Sequence, residues 1–177
     1  MGDAKRNREE LRKRMLVELE RLMAPTSPDE ERLNDEIRTL DFYSISRAPD
    51  EQLAYGRMKP QQCHQNAGSY ARLDPSGRSR HVSGWWKRGE IFYFHSVVFV
   101  QGRLFCVTPN PDRAPLKFAP DYDIKWHEAE GKMDSLRRGR EVPYLVRDFP
   151  DKVIAGATAA HDELMSGADP RTLKLVF

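Results

Sequence analysis

Only two of the 177 residues are cysteine, Cys63 and Cys106. Two cysteines do not build the disulfide framework of a small secreted scaffold, so each is read as a thiol with its own role. No stretch approaches the roughly 18 apolar residues that a membrane-spanning helix needs, and the charged start lacks the apolar centre of a signal peptide. A soluble, cytoplasmic protein with no membrane partner is expected. Net charge is also scarce, at +2. The basic clusters, Lys5, Arg6, Arg8, Arg12, Lys13 and Arg14 in one place and Arg137, Arg138 and Arg140 in another, stand among acids such as Glu9, Glu10 and Glu141. They read as solvated faces, and nucleic acid is not an expected partner. No internal repeat or low-complexity tract is visible.

The sequence holds 39% hydrophobic against 32% charged residues, and its aromatic residues gather between Trp85 and Phe105. At this length one domain with an appendage buries enough surface to fold without staples. Leu11, Met15, Leu19 and Leu22 make the apolar stripe of a helix over residues 7–23, which Pro25 ends. A second helix opens with Ser27 as cap, Pro28 at its first position and Glu30 completing a Ser-x-x-Glu box, and carries Leu33, Ile37 and Leu40. Residues 1–48 are therefore set apart as a helical extension, expected to pack back on the same chain, with a protein partner or self-association as the alternative, and residues 49–177 as the main domain.

Within that domain, residues 61–73 read as a helix closed by Asp74-Pro75-Ser76-Gly77, and residues 81–86, 91–100 and 103–107 as strands turning at Arg88-Gly89 and Gln101-Gly102. A further strand is expected over 123–128, an edge strand over 143–147 and a helix over 151–165. If Gln101-Gly102 is a two-residue turn, Val100 faces Arg103, and His95, Val97, Cys106, Thr108 and Asn110 share one face of the sheet.

Cys63 sits near a helix start, where the positive end of the helix dipole favours a thiolate. His95 lies in an otherwise apolar strand and is the natural general base. Asn110 is the candidate orienter of its ring, with Asp112 as competitor. Gln62 is the candidate oxyanion donor, beside Gln61, and Asn66 faces the same way one turn on. A metal centre built from Cys63, His64, His81, His95 and Cys106 is the rival chemistry. Its spacing is wrong: Cys63 and His64 are adjacent, and no Cys-x-x-Cys or His-x-x-x-His pair exists to nucleate a site. No metal and no cofactor are assigned.

Four segments carry a resemblance: Gln-Cys-His-Gln-Asn-Ala at 62–67, His-Val-Ser-Gly-Trp-Trp at 81–86, Phe-His-Ser-Val-Val at 94–98 and Gly-Arg-Leu-Phe-Cys-Val-Thr-Pro at 102–109. The order resembles small bacterial and phage proteins with papain-like or transglutaminase-like folds, across under a third of the chain. The resemblance implies an α+β fold, a cysteine-bearing helix packed on an antiparallel sheet, and a cysteine, histidine and aspartate triad. Its third position falls on Cys106 instead of an acid. A neutral thiol cannot do an aspartate's work, so Asn110 or Asp112 must substitute, or the site is a dyad, or it is inactive. The shared face also brings up a disulfide between Cys63 and Cys106 that would block the nucleophile. The expected function is a thiol hydrolase or acyl transferase on a peptide or another amide or ester substrate; the alternative is an inactive scaffold used for binding.

Overall fold

The computed structural model describes residues 2–112, 114–129 and 132–173. Helices α1 (Gly2–Met23) and α2 (Pro28–Arg38) lead into strand β1 (Tyr43–Arg47), followed by helices α3 (Asp50–Tyr55) and α4 (Cys63–Leu73). Strands β2 (Arg80–Arg88), β3 (Ile91–Val100), β4 (Arg103–Cys106) and β5 (Leu116–Pro120) come next. A sheet of β6 (Ile124–Ala129), β7 (Lys132–Arg137) and β8 (Arg140–Glu141), strand β9 (Leu145–Arg147) and helix α5 (Pro150–Met165) complete the chain. Among the described residues no helix is long and apolar enough to cross a membrane.

The chain forms two compact units. The first joins residues 1–34 to 89–91 and 147–177. In it α1 packs on α5, burying Leu19 and Leu22 of one and Val153, Ala157, Ala160 and Leu164 of the other. Ser27 caps α2 as expected, its Oγ accepting the Glu30 N–H at 3.1 Å. The Glu30 carboxylate does not close the box. It takes the buried Arg147 guanidinium instead, at 2.8 and 2.6 Å, while Arg147 also donates to the carbonyls of Leu22 and Ala24. Burial opposes the Glu30 charge, but the hydrogen bonds from Arg147 outweigh it and hold the carboxyl below its ordinary range.

The second unit, residues 35–88 and 92–146, holds the sheet order β2-β5-β1-β4-β3-β9, and β2 also pairs with β3. The five strands β2, β5, β1, β4 and β3 thus close into a barrel. This corrects the expected papain-like or transglutaminase-like fold, a helix laid on an antiparallel sheet. Two strands that local pattern did not reveal close the ring. β1 lies within residues 1–48, set apart as the helical extension, and β5 lies in the stretch from Pro109 to Pro120, which carries four prolines and no expected strand. β1 runs antiparallel to β5 but parallel to β4, so the barrel is mixed. Its interior packs Ile45, Val82, Val97, Cys106, Leu116 and Phe118. Outside, α3 and α4 cover Val98 and Val107 with Leu53 and Ala67.

The hairpin between β3 and β4 has the expected register, Val100 opposite Arg103 and Phe99 opposite Leu104. Gln101 at φ 50 and Gly102 at φ 81 turn it, the left-handed pair that a two-residue connection requires. Gly84 is demanded by a close approach, because a Cβ there would overlap the Ala119 carbonyl of β5 and lie 2.8 Å from the Phe118 ring. Trp85 beside it is fully buried, its Nε1 donating to Asp121 at 2.9 Å, and Arg137 donates to the same carboxylate at 2.7 Å.

Candidate functional site

Cys63 is the first residue of α4, and Gln62 before it is exposed and makes no side-chain capping bond. The lead-in is held by Asn66. Its Oδ1 accepts the Lys59 N–H at 3.0 Å, and its Nδ2 donates to the Lys59 carbonyl at 2.7 Å and to Thr108 Oγ1 at 3.3 Å. One buried amide thereby ties the loop, the helix start and the end of β4 together. Gln61 adopts φ 61, a left-handed backbone that a non-glycine residue takes at a cost of roughly 1–2 kcal/mol.

The Cys63 thiol is half-buried, and burial pushes it up to about 11, against backbone N–H groups of Ser96, His64 and Cys63 itself that favour the thiolate. Negative charge on Cys106 would raise it further, which places the two sulfurs in one electrostatic neighbourhood. Burial therefore overrides the helix-start effect that the sequence suggested.

His95 is buried on β3, and no hydrogen bond joins it to Cys63 among the described residues. Its Nε2 lies 3.3 Å from Cys106 Sγ, and its ring sits 5.5 Å from Trp86 and 6.3 Å from Phe118. Burial pulls the imidazole down to about 3, helped by the nearby charges of His64 and Arg47. Strand alternation explains the placement: His95 and Val97 turn into the barrel, while Phe94, Ser96 and Val98 turn towards α4. The predicted common face of His95 and Cys106 is thus present, as the inner wall of the barrel.

Cys106 is fully enclosed, and burial raises its thiol although Thr108 and Arg47 oppose the rise. Arg47 Nη1 lies 3.5 Å from its sulfur and donates to the Thr108 carbonyl at 3.1 Å, and Arg47 Nε donates to the Asp112 carbonyl at 3.0 Å. Among the described residues neither candidate orienter hydrogen-bonds the imidazole. Asn110 Oδ1 accepts the Asp112 N–H at 2.9 Å, and Asp112 Oδ1 accepts the Ala114 N–H at 3.0 Å, so both side chains serve their own turns.

A second polar cluster occupies the α4 side of β3. Ser96, fully buried, holds its Oγ 2.7 Å from His64 Nδ1 and 2.8 Å from His81 Nε2. Ser83 Oγ approaches it at 3.3 Å and accepts the Trp126 indole N–H at 2.9 Å. The His64 ring lies 4.3 Å from Phe94. Burial pulls His64 down to about 4, aided by repulsion from His81, and burial also lowers His81. Both rings are neutral at pH 7. Because the Ser96 hydroxyl has a single proton to donate, at most one of the two rings presents a bare nitrogen to it, so their tautomers are coupled.

As residue types His64 and His81 suggest metal ligands, and nothing in its immediate sequence neighbours marks Ser96. The signal that would have found the trio is alternation along β3, which gives Ser96 the opposite face from His95. Among the described residues no group of three or more His, Cys, Asp or Glu side chains is placed to hold a metal ion. No protein-family model matches this chain, and neither does any curated protein or solved structure.

Proposed function

We propose that the protein is a cysteine-dependent hydrolase or acyl transferase acting on an amide or ester bond, with Cys63 as nucleophile and His95 as general base. The observation that supports this is the half-buried thiol at the start of α4, with the N–H groups of Ser96, His64 and Cys63 directed at it. Such donors stabilise a thiolate and the oxyanion of a tetrahedral intermediate. Cys63 sulfur attacks the carbonyl carbon, and the thiol proton passes to the imidazole. Collapse then breaks the C–N or C–O bond, the leaving group takes that proton, and water or an acceptor amine resolves the thioester. For this chemistry His95 must exchange the Cys106 sulfur for that of Cys63. The same proposal puts the protein in the cytoplasm, where two free thiols persist.

The test is acylation by p-nitrophenyl acetate, read by peptide mass spectrometry. Acetyl on Cys63, formed at least about a hundredfold more slowly in His95→Ala, is the expected result. Acetyl confined to surface lysines, with Cys63 unmodified, ends the enzyme reading.

A second function, a binding protein without turnover, is favoured by one observation. With the Cys63 thiol at about 11 and the His95 imidazole at about 3, the proton stays on sulfur, the reverse of an activated pair. Its partner surface would include α1, where Leu11 and Val17 are exposed.

A further inference from the structure

The barrel is not sealed along its whole height. β1 and β4 pair only through Ser46 with Phe105 and Arg47 with Cys106, continued by the Ala48 N–H to the Cys106 carbonyl at 2.9 Å. Towards their starts the two strands part. Tyr43, Ser44 and Ile45 pair with β5, and Arg103 and Leu104 pair with β3, so among the described residues each strand has a strand partner on one side there. Between them opens a groove of about 690 Å3, lined by Ser44, Ile45, Arg103 and Leu104 among others. That volume falls within the roughly 300–1,000 Å3 of ordinary ligand sites.

Two features of the groove indicate what fits it. A strand edge without a neighbour presents backbone N–H and C=O groups, which an extended chain satisfies by adding a strand. The groove also holds one carboxylate, Asp41, and one guanidinium, Arg103, neither of which has a side-chain ion pair or hydrogen bond among the described residues. Charge of both signs beside a partly apolar lining suits a peptide with alternating residues better than a polyanion or a lipid surface.

We propose that this groove docks an extended peptide, which pairs its backbone with the free edge of β1 and offers an acidic side chain to Arg103 and a basic one to Asp41. The site does not depend on chemistry at Cys63.

Fluorescence anisotropy of the full chain with labelled octapeptides tests it. The probes are Ser-Val-Glu-Val-Thr-Val-Lys-Ser, the same peptide with Glu and Lys exchanged, a neutral peptide with Gln at both positions, and versions N-methylated at alternate backbone nitrogens. One charged peptide binds at least about tenfold more tightly than the neutral one, and N-methylation removes that binding. Arg103→Glu, an exposed change that leaves the core untouched, weakens it about tenfold, and replacing the peptide glutamate by lysine restores it. Equal binding of the N-methylated peptide overturns strand addition. Indifference to both Arg103→Glu and Asp41→Lys overturns the charge assignment. Binding of an oligodeoxythymidine with no peptide binding overturns the occupant.

Discussion

The two faces of β3 solve the same problem in opposite ways. Inside the barrel His95 meets Cys106, a weak hydrogen-bond partner, amid Trp86, Val97 and Phe118. On the other face, one residue along, Ser96 sits between two imidazoles with a second serine and an indole behind it. Both arrangements keep their histidines neutral by burial. Only the outer one is knitted by strong donors and acceptors, so the outer cluster fixes the geometry of its side chains more tightly than the inner pair does.

Breaking the barrel removes both faces together. Gly84→Ala has no room against Ala119 and should cost roughly 2–4 kcal/mol, measured as a drop in the urea midpoint. Acid acts next. His64 and His95 have folded values near 4 and 3 against 6.5 when free, so the unfolded chain binds more protons. Their stabilisation is present above pH 6.5 and is lost as pH falls through 4 and then 3, at up to about 1.4 kcal/mol per pH unit for each histidine. Urea midpoints across that window should flatten in His64→Gln near its upper part and in His95→Leu down to its lower end.

Single substitutions then separate the faces. Ser96→Ala leaves two buried imidazole nitrogens without their hydroxyl and should cost about 1–3 kcal/mol. His95→Leu exchanges a thiol contact for apolar packing and should cost under about 1.5 kcal/mol. Equal losses would mean that the outer network adds nothing beyond volume. The smallest change expected is a gain: Gln61→Gly relieves the left-handed backbone before Cys63 and should stabilise by up to about 1 kcal/mol. A loss there, by thermal unfolding, would show that the glutamine side chain is needed.

What the residues alone settle is local. The turn at Gln101 and Gly102, the register of β3 with β4, the Ser27 cap, the start of α4 at Cys63 and the shared face of His95 and Cys106 all follow from backbone chemistry and side-chain period over a few positions. Tertiary structure decided which side of that sheet became an interior. β1 has one buried residue, Ile45, between two serines, and β5 is bounded by prolines, so neither carries a period long enough to announce a strand. Their partners lie far off in sequence, β4 and β2 among them, and pairing at that distance leaves no local trace. Once those two strands close the barrel, His95 is committed to its inside and Cys63 to the helix outside. The thiol that His95 meets there is Cys106, whose Sγ lies 3.3 Å from its Nε2.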